Sequence, residues 1–198
     1  MYEFRKLSGR CKVATAFLLL WVVIDVASST ADFFFADPDP QHLGLNASLL
    51  IADLVLLITC IVFVSRWIYR ASSNAHALRG DLTITPGWAV GWYFVPIATW
   101  WKPFEAMKET WSASFPTADG HGQAVPPMLR FWWGFWIISN ILGSISFRLS
   151  LTDGVDPSLP AAINVAASLL SIPTVILLVR IMRMVGDGQM IACRAPSN

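Results

Sequence analysis

Residues Pro86 to Trp111 read PGWAVGWYFVPIATWWKPFEAMKETW, and this stretch decides how the chain meets a membrane. It is apolar enough to enter a bilayer. The run from Gly87 to Trp101 is only 15 residues, against the ~20 that a ~30 Å hydrocarbon layer needs. Pro96 sits inside it, where a proline removes a backbone donor and clashes with the preceding turn. Irregular backbone at membrane depth persists only when buried in protein or facing water. The stretch is therefore a re-entrant or surface-lying element, or else a damaged extra crossing.

Composition places the rest. The 198 residues fit one unit, an integral membrane domain over 1–198. Hydrophobic residues make up 55% and charged residues 14%, where soluble chains carry about 25% charged. Mean hydropathy is +0.55. A net charge of +1 names no partner and gives no reason to expect nucleic acid. The cysteines (Cys11, Cys60, Cys193) are widely spaced and suggest neither a disulfide framework nor a zinc site. All three histidines (His42, His76, His121) fall outside the apolar runs, which argues against an intramembrane haem. Hydrolase, nucleotide-binding and zinc-protease signatures are absent, so no cofactor and no catalytic residue is expected.

Four apolar runs are long enough to span as helices: Val13–Phe35, Leu45–Val64, Phe131–Ser150 and Ala161–Val179. Breakers follow the first run at Asp37-Pro38-Asp39-Pro40 and the third at Asp153 to Pro157. If the Pro86–Trp111 stretch does not cross, 13 of the 14 lysines and arginines lie on one side, leaving only Arg148. The outer connectors then hold Asp37, Asp39, Asp153 and Asp156 and no lysine or arginine. The positive-inside rule makes the basic side cytoplasmic. The expected fold is all-α: four transmembrane helices with both termini cytoplasmic, and a re-entrant or interfacial helical segment between spans two and three. A rival reading treats the first run as a secretory signal cleaved near Ser29-Thr30-Ala31. Against it, the apolar stretch resumes at Phe33-Phe34-Phe35 and the whole run has span length.

Nine of the ten tryptophans fall from the end of the second run into the first turns of the third, Trp67 to Trp136. Tryptophan favours the headgroup level, so these rings predict an aromatic layer on the cytoplasmic side. Trp100, Phe104, Met107 and Trp111 recur at steps of four, three and four, which puts them on one face of a helix lying in the interface. Pro103 suits its first turn.

Three groups of residues carry a family resemblance. They are Trp67-x-x-Arg70-Ala71-x-x-Asn74-x-x-x-Leu78, then Pro86-x-Trp88-Ala89-x-x-Trp92, then Val95-Pro96-Ile97-Ala98-x-x-Trp101-Lys102-Pro103-Phe104-x-Ala106-Met107-x-x-x-Trp111. Together they resemble the membrane-protein family called domain of unknown function (DUF) 4328, over about Leu50 to Val185. Thr99, Lys102 and Phe104 stand where asparagine, arginine and tyrosine are common in that family, which puts a polar role at Thr99 in doubt. The resemblance implies a multi-pass protein of the bacterial inner membrane and no particular activity. It marks Asn74, Pro86, Pro96, Trp101, Lys102, Pro103 and Trp111 as a candidate interfacial motif.

Ionisable groups inside spans are costly and are functional candidates by default. Asp25, Asp53, Asn140 and Arg148 form a candidate intramembrane polar cluster. One reading is a structural ion pair, Arg148 with Asp53 or Asp32. The other is a polar path in which Asp25 and Asp53 exchange protons. Three functions stay open: an accessory or scaffold protein offering its cytoplasmic face to lipid or a protein partner, a small homo-oligomeric transporter or channel using Asp25, Asp53 and Arg148, and a lipid-modifying enzyme. The enzyme needs an acid–base pair such as His76 with Glu105 or Glu109.

Overall fold

The computed structural model describes residues 3–35, 40–116 and 124–194. Asp37, Asp39 and His121 lie outside the described residues, as does the side chain of His42. Every described regular element is helical: α1 (Ser8–Phe34), α2 (Pro40–Leu78), α3 (Pro86–Gly91), α4 (Lys102–Ser114), α5 (Pro127–Ser150) and α6 (Ser158–Arg194). Two 3-10 turns, Trp92–Phe94 and Ala98–Trp100, lie between α3 and α4.

Three of these helices are long and apolar enough to cross a membrane: α1, α2 and α6. That corrects the expected four. The third run does form a helix, α5, of 24 residues. Its apolarity is diluted by Trp132, Trp133, Trp136, Asn140, four serines and an arginine near each end.

Two helices also overrun the expected spans. The second apolar run ends at Val64, but α2 continues to Leu78; the fourth ends at Val179, but α6 continues to Arg194. At ~1.5 Å per residue each extension adds about 20 Å of helix. These extensions carry their arginines on one face only. Along α2, Trp67, Ala71, Asn74 and Ala75 are buried while Arg66 and Tyr69 are exposed. Along α6, Leu178, Met182, Val185 and Gln189 are buried at steps of four, three and four, with Arg180 and Arg183 outward.

The chain forms two compact units. Unit 1 comprises Met1–Thr15, Val62–Arg130 and Leu178–Asn198; unit 2 comprises Ala16–Ile61 and Phe131–Leu177. Unit 2 buries small and polar side chains, including Ser29, Ala31, Ser146, Ala167, Ser168 and Ser171. It exposes large apolar ones such as Leu20, Val23, Leu50, Ile51, Phe147 and Leu169. Small residues let helices approach closely where lipid, not water, is the surrounding solvent. Hydroxyls then link them: Ser29 Oγ donates to Ser168 Oγ at 2.7 Å, and Ser146 Oγ to the Pro160 carbonyl at 2.7 Å.

Candidate functional site

Unit 1 is built around Asn74. Its Oδ1 accepts from the Arg5 N–H at 3.0 Å, and its Nδ2 donates to the Arg5 carbonyl at 2.8 Å and to Gln189 Oε1 at 3.0 Å. Gln189 Nε2 donates in turn to the Ala71 carbonyl at 2.9 Å. Two buried amides thus tie α2 and α6 to the segment before α1, and both side chains are fully enclosed. Gln189 was not anticipated. Its signal was available: a lone polar residue on an apolar stripe at steps of four, three and four.

The stretch between α2 and α4 is held by a carboxylate. Glu109 accepts from the N–H groups of Thr83 (3.2 Å) and Ile84 (3.0 Å) and from the Thr83 hydroxyl. Pro86 and Pro103 stand in the first turns of α3 and α4, where their missing donors cost nothing, and both are buried. Between them the chain breaks at Pro96. Val95 is extended at φ −96° and ψ 112°, as a residue before proline prefers. Thr99 closes the turn with a hydroxyl bond to the Tyr93 carbonyl at 3.2 Å. The position where the resemblance implies an amide is here used for backbone capping.

The aromatic layer divides. Trp88, Phe94, Ile97, Trp100 and Trp101 are exposed on unit 1, with Trp88 and Trp92 stacked at 4.5 Å. Trp67 and Trp111 are buried inside it, and Trp111 is only 2% exposed. The expected interfacial face of α4 is therefore corrected: Met107 and Trp111 face protein, together with Pro103, Ala106 and Thr110. Spacing identifies a shared face but not whether lipid or protein covers it. Of the candidate interfacial motif, Asn74, Pro86, Pro103 and Trp111 are buried, Pro96 and Trp101 exposed, and Lys102 half-buried. Lys102 Nζ pairs with Glu105 at 2.7 Å.

The groups proposed for an acid–base site go to separate tasks. His76 Nδ1 contacts the Ser72 carbonyl at 3.1 Å, Glu105 holds Lys102, and Glu109 holds the 83–84 backbone. Arg79 pairs with Asp81 at 2.6 Å, which holds the Asp81 carboxyl below its ordinary range. A void beside Trp67 and Tyr93 measures ≈ 10 Å³, the size of one water molecule and too small for a substrate.

In unit 2, Asp25 Oδ2 accepts from Ser171 Oγ at 2.9 Å. Asp53 lies within electrostatic reach of Asp25 and has the Trp21 indole as its hydrogen-bond neighbour. The geometry is not that of a closed bond, and Asp53 Oδ1 and Trp21 Nε1 stay buried without a well-formed partner. Arg148 is exposed at the end of α5 and makes no ion pair with Asp53 or Asp32 among the described residues. Asn140 is exposed and donates to its own helix, to the Trp136 carbonyl at 2.7 Å. The polar cluster thus contracts to the two aspartates.

A second polar feature lies in unit 1. A cleft of ≈ 510 Å³ is lined by Arg5, Arg10, Ser65, Arg66, Tyr69, Arg70, Gly87 and Val90. Sequence reading had placed these arginines on one side of the membrane without bringing them together.

Against known proteins, the family described as Domain of unknown function (DUF4328) matches residues 43–187, most of the chain. The chain belongs to that family. No curated protein and no solved structure matches it.

Proposed function

We propose that this chain, a member of a family with no assigned activity, is a non-enzymatic accessory or scaffold protein of the bacterial inner membrane. In this reading α1, α2 and α6 lie in the bilayer, the less apolar α5 carries the chain back across it beside them in unit 2, and unit 1 faces the cytoplasm with both termini. The broken stretch 86–101 rests at the headgroup layer through Trp88, Phe94, Ile97, Trp100 and Trp101. The observation that carries the reading is the charge distribution. Unit 1 contains both chain ends and all lysines and arginines except Arg148. Retention of basic segments on the cytoplasmic side is the general rule. Commitment of His76, Glu105 and Glu109 to structural contacts favours a scaffold over an enzyme.

Purification of the full chain in mild detergent, with identification of copurified proteins and lipids, tests this. A defined protein partner or homo-oligomer is expected. A lone monomer with no bound protein or lipid would undercut the reading.

One observation favours a second reading, a small oligomeric transporter: Asp25 and Asp53 of unit 2 lie within electrostatic reach of each other, with no cation paired to either among the described residues. Ion flux into vesicles that is lost in both Asp25→Asn and Asp53→Asn, with folding intact, would support it. Flux equal to that of empty vesicles would remove it.

A further inference from the structure

We propose that the cleft between Arg5, Arg10, Arg66 and Arg70 binds the phosphate headgroup of an anionic phospholipid. The inference rests on the membrane reading above and names the ligand chemistry of one site on that face.

The first ground is charge with little compensation. Arg5, before α1, and Arg10, in its first turn, meet Arg66 and Arg70 of α2 across one cleft. Among the described residues, Arg5–Glu3 at 3.0 Å is the one ion pair that reaches these four guanidiniums, and both its side chains are largely exposed. Arg10, Arg66 and Arg70 have no carboxylate within 4.0 Å among those residues. Arg70 donates to the Glu3 carbonyl, while its Nε is buried and unpartnered. Arg5 and Arg10 lie within electrostatic reach of Arg70, and the exposed Glu3 offsets them only in part. Gathering like charges in a partly desolvated cleft is unfavourable unless an anion offsets it. Guanidinium groups match phosphate oxygens in both charge and fork geometry. Ser65 and Tyr69 add hydroxyls to the same wall.

The second ground is what adjoins the charge. Arg66 and Arg70 directly follow the apolar part of α2, whose most apolar window is only 6% buried. Val62 and Tyr69 are each 48% exposed. Val62, Arg66 and Tyr69 follow at steps of four and three, so apolar surface runs into the basic cleft along one helix face. A ligand with an anionic head and an acyl tail satisfies both surfaces. A soluble phosphate satisfies only the first. The cleft volume is within the range of small-molecule sites.

The test uses the full chain in mild detergent, titrated with phosphatidylglycerol or phosphatidylcholine, with bound lipid counted by native mass spectrometry. Phosphatidylglycerol should be retained preferentially, at one site per chain. Arg66→Gln and Arg10→Gln should each weaken retention roughly fivefold, as expected for one basic residue near an anionic surface. Lys12→Gln, an exposed charge outside the cleft, should leave retention unchanged. Retention of both lipids alike, or equal loss in Lys12→Gln, would overturn the site in favour of diffuse attraction. Displacement of the lipid by millimolar inorganic phosphate would overturn it in favour of a soluble anion. Should either glutamine variant misfold by gel filtration, Arg66→Lys replaces it; that variant keeps the charge but loses the fork, and undiminished retention would count against headgroup recognition. A chain that keeps its protein partner but not phosphatidylglycerol would sink this site alone, leaving the accessory-protein reading standing.

Discussion

Asn74, itself fully enclosed, uses both of its donors and its oxygen on the Arg5 backbone and on the buried Gln189. Asn74→Leu would strand the Arg5 backbone groups and Gln189 Oε1. A buried group left unpaired costs about 1–3 kcal/mol, and that is the loss expected from Gln189 Oε1, the partly buried Arg5 groups adding less. A clear fall in melting temperature in detergent checks it, while Ser144→Ala, on an exposed face, should change little. Gly188 is a second sensitive point. A Cβ there would meet the Ser114 carbonyl at 2.7 Å and the Phe115 ring at 2.7 Å. Gly188→Ala should therefore lower folded yield, and yield equal to wild type would contradict this packing. Asn74 was legible because its spacing from Trp67, Arg70 and Leu78 matched a pattern. Gln189 was legible only as a polar exception on an apolar stripe, which gives a position without a partner.

Among the elements, the break at Pro96 and the start of α4 at Lys102-Pro103 follow directly from proline chemistry. The surroundings of α4 do not, because a 4-3-4 repeat looks the same whether lipid or protein covers it. The extensions of α2 and α6 escaped notice because hydropathy ends at the first arginines while the helical period continues beneath them. Glu109 is the latch of the 83–84 backbone. Glu109→Ala should loosen this connection and raise protease cleavage near Thr83, measured by limited proteolysis and mass spectrometry, while Lys108→Ala should not. Acid acts nearby through Asp81. Its folded pKa is depressed by Arg79, so the contribution is fully present above the ordinary value of 3.8 and is lost as pH falls through the lowered one. Amide exchange of residues 79–81 should accelerate only below that range, and in Asp81→Asn this acid dependence should disappear.

At the scale of the molecule, unit 2 buries hydroxyls and exposes leucines, the reverse of a water-soluble core. Unit 1 gathers the basic residues and both ends. The thirteen lysines and arginines that the sequence groups together all fall in unit 1, and Arg148 falls in unit 2. The count of apolar helices was overestimated because α5 is long enough but too rich in tryptophan, serine and arginine. The partition makes one measurement decisive. Cys11 and Cys60 are buried and Cys193 is exposed, so the chain carries its own reporter at the C-terminal end. A membrane-impermeant maleimide should label Cys193, and a second reporter Ser8→Cys in a Cys193→Ser background, in inside-out vesicles and not in intact spheroplasts. Labelling of either reporter from outside the spheroplast would contradict a cytoplasmic unit 1 holding both termini.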